Sequence, residues 1–239
     1  MKSSLVALVL FAAVALLASG CGSKSMNAVA PTPVPALDAQ AQAALTPDAA
    51  LQRLVDGNAR FVAGETLRRD MSLQVQQTAA AQHPAAIVLS CVDSRIPTER
   101  VFDQGIGDIF NARVAGNFVN DDMLGSMEFA TKVAGAKLVV VMGHTSCGAV
   151  KGACDAVDLG HVNSLVKAIQ PSVQAVAAQG TPCTSKQPAS VDRVATHNVE
   201  RTLEDIRQRS PILADLERSG AIRIVGAMYD VASGKVTFM

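Results

Sequence analysis

Two stretches decide the fold: Ala85-Ala86-Ile87-Val88-Leu89-Ser90-Cys91-Val92-Asp93-Ser94-Arg95, and Lys137-Leu138-Val139-Val140-Val141-Met142-Gly143-His144-Thr145-Ser146-Cys147-Gly148. Each is an apolar run of strand length that ends in metal-ligand residue types. Unbroken Val/Ile/Leu runs mark parallel strands covered on both faces. In open α/β sheets, sites form beyond the carboxyl ends of the strands. Cys91, Asp93, His144 and Cys147 are therefore expected at one sheet edge, contributed by two strands that are neighbours in space.

Outward from these runs, strand and helix patterns alternate. Strands are expected over 85–90, 108–114, 137–143 and 221–228, with a short edge strand over 235–239. Helices are expected over 46–62, 97–103, 121–135, 149–157, 161–178, 191–208 and 211–219, with loop and a short helix over 68–82. Thr46-Pro47-Asp48 reads as a helix start, Thr46 capping and Pro47 in the first turn. Such alternation implies an α/β fold: a mostly parallel central sheet, four parallel strands plus the edge strand, flanked by helices.

Two Cys, one His and one carboxylate suit zinc, which takes thiolate, imidazole and carboxylate in a tetrahedron. Magnesium and calcium would want oxygen ligands. Cys91 and Asp93 alternate along an extended strand end and so share a direction. His144 and Cys147 are three apart, which suits the first turn of a helix. Gly143 and Gly148 would ease the passage from strand to helix. Arg95 offers Asp93 a bidentate partner. If Arg95 holds Asp93 off the metal, zinc keeps three protein ligands and an open position, as in catalytic sites. If Asp93 ligates, the site is closed. Both states are open to the sequence. Taken singly, a Cys in an apolar run is a core hydrophobe and a lone His is structural. A structural zinc site would show close C-x-x-C pairs. The joint pattern of C-x-D-x-R, then H-x-x-C about fifty residues on, favours zinc.

With these residues the chain resembles a β-class carbonic anhydrase of the plant-like subtype. The resemblance runs through Cys91-Val92-Asp93-Ser94-Arg95, residues 101–108, 111–117 and 125–128, His144-Thr145-Ser146-Cys147-Gly148, residues 210–213 and residues 224–230. It covers the chain from about Thr46 onward. It implies zinc, one per chain, on Cys91, His144 and Cys147, with Asp93 as an alternative fourth ligand. It implies reversible hydration of CO₂ to bicarbonate and a proton by zinc-bound hydroxide. Asp93, paired with Arg95, would orient the hydroxide. Gln82, nine residues before Cys91, and the backbone N–H of Gly148 would stabilise the oxyanion. His161 is a candidate for proton exit. Val88 stands where a subtype with an inhibitory bicarbonate pocket has Trp, and the chain has no Trp. Ala149 stands where plant members carry a second Gly. The family also implies a homodimer or higher homo-oligomer, the helix after Thr46 wrapping over a partner subunit. The same fold and zinc set would serve a carbonyl sulfide or carbon disulfide hydrolase. A site held closed by Asp93 would make a non-catalytic zinc-binding envelope protein, although such a role needs neither Arg95 nor Gln82.

Three segments follow from composition. Residues 1–20 carry Lys2, the apolar run Leu5 to Leu17 and small residues before Cys21. That run is too short to span a bilayer as a mature helix. It resembles a bacterial lipoprotein signal, with lipid on Cys21 and, given Gly22, sorting to the outer membrane. Residues 21–45 read as a flexible Pro/Ala-rich tether, and 46–239 as the catalytic domain. The expected location is periplasmic, with the membrane reached only through the lipid. Formal net charge is zero, so nothing points to nucleic acid. Of five cysteines, Cys154 and Cys183 remain, and oxidising surroundings would let them pair.

Overall fold

Ala86–Ser90 (β1) and Leu138–His144 (β3) are buried at every residue, as unbroken apolar runs require. The computed structural model describes residues 32–180 and 182–239. The signal segment, Cys21 and the start of the tether lie outside the described residues. Ile109–Arg113 (β2), Arg223–Tyr229 (β4) and Val236–Phe238 (β5) complete a five-stranded sheet of order β2-β1-β3-β4-β5. The first four strands are parallel and β5 is antiparallel to β4. Since β2 lies on one side of β1 and β3 on the other, the strand order reverses between β1 and β3. Their carboxyl ends therefore flank the crevice where open α/β sheets place their sites.

Side-chain alternation divides the core between the two faces. Val88, Leu138, Val140 and Met142 pack with Leu54, Phe102, Ile169 and Val194. Ile87, Leu89, Val139 and Val141 pack with Met127, Ile206 and Leu213. The helices are Ala39–Ala44 (α1), Pro47–Ala63 (α2), Met71–Thr78 (α3), Thr98–Val101 (α4), Asp121–Glu128 (α5), Gly148–Cys154 (α6), Val162–Ala178 (α7), Pro188–Arg209 (α8) and Pro211–Arg218 (α9). Thr46 caps α2 through Ala49 N–H, as expected. Helix α8 lies close on β3 and β4. A Cβ at Gly143 would stand 2.7 Å from Val199 Cγ2, and one at Gly226 2.9 Å from Val199 Cγ1. No described helix is long and apolar enough to cross a membrane.

Two expectations need correction. The stretch read as tether to residue 45 contains α1, capped by Asp38, whose Oδ1 accepts from Ala41 N at 2.8 Å. Gln42 Nε2 donates to the carbonyls of Pro84 and Ala134, both at 2.8 Å, so α1 belongs with the domain. Ala and Gln are good helix formers, and composition alone masked that. The helix expected over 121–135 keeps regular pitch only to Glu128. Residues Phe129–Val133 then form a wider π-helical turn, closed by Gly135 at φ 80°.

Cys154 and Cys183 form a disulfide, tying the end of α6 to the segment before α8. It closes a loop of 29 residues in sequence separation, worth about 3.6 kcal/mol by loss of unfolded-state entropy. Cys154→Ser/Cys183→Ser is expected to lower unfolding free energy by about that amount in denaturant titration. A change under about 1 kcal/mol would show that native packing already holds this segment.

Below the sheet, Asp103 gathers the chain. It is 4% exposed and left-handed at φ 46°. Its Oδ2 accepts from Arg60 Nε at 2.6 Å and Leu67 N at 3.2 Å, and its Oδ1 accepts from Arg69 Nη1. Burial pushes its carboxyl up, but Arg60 and Arg69 outweigh burial and hold it below the usual range. A depressed acid stabilises the fold fully above its unfolded value near ~3.9 and loses that contribution as pH falls through the folded value. Asp103→Asn tolerates the backbone but leaves two cations unpaired. It is expected to cost about 3 kcal/mol at pH 7, and less at pH 3.5 in parallel urea titrations.

Candidate metal centre

Cys91 directly follows β1. Its carbonyl accepts from Arg113 Nε at 3.0 Å, and the carbonyl of Asp93 accepts from Arg113 Nη2 at 2.7 Å. The last residue of β2 thus splints the segment that carries the first ligand. The N–H of Gly116 donates to Cys91 Sγ at 3.4 Å, and Asn198 Nδ2 holds the Gly116 carbonyl at 2.8 Å. His144 ends β3 with no solvent exposure. Its Nδ1 lies 2.9 Å from the Thr145 carbonyl. A carbonyl only accepts, so Nδ1 carries the proton and Nε2 presents a lone pair. That Nε2 is buried without a hydrogen-bond partner. Cys147 precedes the first turn of α6 and is also fully buried.

The ligand atoms of Cys91, His144 and Cys147 lie within 4.8 Å of one another. Buried polar atoms are ordinarily paired, and a cation would satisfy the orphaned nitrogen together with both sulfurs. Two thiols and one imidazole suit zinc. The thiols share their protons unevenly. Hydrogen bonding from Cys147, aided by the Gly116 amide, outweighs burial and pulls the Cys91 thiol below its ordinary value. Cys91 in turn, with burial, pushes Cys147 above the ordinary thiol value.

Asp93 lies just outside this set. Its Oδ1 accepts from Arg95 N at 3.0 Å and Arg95 Nε at 2.9 Å, and its Oδ2 from Arg95 Nη2 at 2.7 Å. The fork holds the Asp93 carboxyl well below the usual carboxylate range. Oδ2 stands 4.0 Å from His144 Nε2. The carboxylate faces the cluster from Arg95's grip, the arrangement of the open alternative. Tyr229, paired in register with His144, donates from its hydroxyl to the Arg95 carbonyl at 3.4 Å.

The other anticipated residues fall as follows. Gly148 opens α6 and is exposed, with open space around its Cα. The left-handed residue of the ligand turn is Ser146, φ 56°, and not a glycine. Gly143 serves instead to admit α8. His161 is exposed just before α7. Gln82 is exposed on the amino-terminal side of β1, whereas about 16 Å of strand separates Ala86 from Cys91. The fold does not bring Gln82 to its own chain's cluster. Sequence reasoning missed Arg113, Asn198 and Tyr229 as supports. Arg113 was signalled only by its place at the end of the neighbouring strand.

A switch-point crevice with a Cys–His–Cys set and a restrained carboxylate defines a zinc enzyme of the α/β class. The carbonic anhydrase family model matches residues 86–236. The carbonic anhydrase of Mycolicibacterium smegmatis is 38% identical over 196 residues, covering 80% of this chain and 92% of that one. The β-carbonic anhydrase CafA of Aspergillus fumigatus superposes with a TM-score of 0.65 at 25% identity, over 80% of this chain and 89% of that one. A tetrameric β-carbonic anhydrase from Sordaria macrospora shares the fold, with a TM-score of 0.61 at 21% identity, over 70% and 90% of the two chains. This chain belongs to the β-class carbonic anhydrases, and its cofactor is zinc.

Proposed function

We propose that this carbonic anhydrase interconverts CO₂ and bicarbonate at the Cys91–His144–Cys147 centre with Asp93 held open by Arg95. The observation that carries the reading is the buried, unpartnered Nε2 of His144 between two thiols, with a carboxylate 4.0 Å away that is already committed to a guanidinium. When bound, zinc supplies Lewis acidity that makes hydroxide available from water near pH ~7, the figure familiar from carbonic anhydrases with three histidine ligands. His144 offers Nε2 because Thr145 fixes its tautomer. Cys91 and Cys147 would supply negative charge matched to a divalent cation. Asp93 Oδ2 would accept a hydrogen bond from the attacking oxygen and orient it, while Arg95 would keep the carboxylate off the metal. The Gly148 N–H, at the start of α6, would donate to the oxyanion.

Gln82 fits this chemistry only across a subunit contact, which favours a homodimer or larger assembly. The signal-like head supports an exported protein held to the envelope by lipid on Cys21, in the periplasm. Detergent-phase partition lost in Cys21→Ser would support the anchor, and unchanged partition would refute it. Substrate choice is tested by initial rates on CO₂ and on carbonyl sulfide with one enzyme sample. CO₂ is expected to be turned over far faster. Preferential sulfide release would favour the hydrolase reading, and turnover of neither would favour a zinc-holding role.

A further inference from the structure

Between two ligands of the centre, the chain turns left-handed at Ser146, φ 56°. That conformation is disfavoured for residues with a Cβ, so something must hold it. The N–H of Ser146 donates to Asp192 Oδ1 at 2.8 Å. Asp192 lies 46 residues further on, in α8, the helix seated against β3 through the contacts at Gly143. Nine residues before Asp192, Cys183 is bonded to Cys154, the last residue of α6. The Ser185 N–H also donates to Asp155 Oδ1 at 2.8 Å. A closed ring results. It runs from Cys147 along α6, across the disulfide, through 183–192, and back to Ser146 by one charge-assisted hydrogen bond.

We infer that Asp192 is a positioning residue of the metal centre: its carboxylate fixes the left-handed Ser146 and so sets the separation of His144 and Cys147. The inference rests on the zinc reading of that cluster. Side chains that orient metal ligands from behind typically matter 10- to 100-fold for metal affinity or activity. Asp192 borders a surface cavity of about 370 Å³, so truncation leaves no sealed void.

The test uses full-length protein loaded with zinc or with cobalt. Asp192→Ala is expected to release zinc to a chelator about 10- to 100-fold faster and to shift the cobalt–thiolate absorption. Asp192→Asn keeps an oxygen acceptor and is expected to recover most of that loss. Should the alanine variant fail to fold, Asp192→Ser, whose hydroxyl is too short to reach Ser146, carries the same expectation. Wild-type release and spectrum in the alanine or serine variant would overturn the inference, even with a lowered melting temperature. An asparagine variant as damaged as alanine would overturn it too. Failure of the wild-type protein to show cobalt–thiolate absorption would instead overturn the zinc reading beneath it.

Discussion

Cys147→Ser is expected to abolish zinc binding and CO₂ hydration together. The side chain has no solvent exposure, and its sulfur belongs to the three-atom cluster. A serine hydroxyl does not ionise near neutral pH, and alkoxide is a poor match for a site built around thiolates. Losing one of three protein ligands leaves two, too few to hold zinc against water. Zinc should fall from about one per chain to under about 0.1, and kcat/KM by at least about 10³-fold, beyond the 10- to 100-fold typical of supporting residues. Circular dichroism should keep its native shape, because a serine fills nearly the same space in the core. A serine variant that retained stoichiometric zinc and a tenth of the rate would remove Cys147 from the centre.

Arg95→Ala is expected to separate metal binding from turnover. Arg95 contributes no ligand, so zinc should stay near one per chain. Its side chain is half exposed, so the fold should be unaffected. Asp93, however, loses both side-chain hydrogen bonds that hold it 4.0 Å from His144 Nε2. A free carboxylate at that distance is drawn to the cation and closes the open position. Hydration should fall about 100-fold or more, on the scale seen when one oriented transition-state partner is removed. Arg95→Lys keeps the charge without the fork and should fall between the two. Zinc analysis with stopped-flow hydration distinguishes the cases. Near-normal turnover in Arg95→Ala would show that Asp93 needs no restraint.

The parallel sheet was legible because β1 and β3 are apolar without interruption. The ligand set was legible because each run ends in chemistry-bearing residues. Cys154 and Cys183 were the cysteines left over once Cys21, Cys91 and Cys147 were assigned, and the sequence allowed their pairing without requiring it. What escaped the sequence is contact between distant segments. Arg113 binds two carbonyls some twenty residues away, and Asp192 binds an amide 46 residues away. No local pattern marks such partners. The glycines beside the ligands suggested a glycine turn, yet Ser146 takes the left-handed position because an external carboxylate holds it. Helix α1 escaped because its Ala and Gln residues, next to a Pro-rich stretch, looked like linker. Gln82 entered through the family resemblance, and a strand's length separates it from its own chain's cluster.

The measurement that bears most directly on the metal centre is stopped-flow CO₂ hydration by the purified protein, with zinc quantified in the same sample. The expected result is about one zinc per chain and fast hydration that disappears when zinc is removed and returns on its addition. Hydration that survives complete zinc removal, or a chain that takes up no zinc at all, would contradict the Cys91–His144–Cys147 centre as the seat of the chemistry.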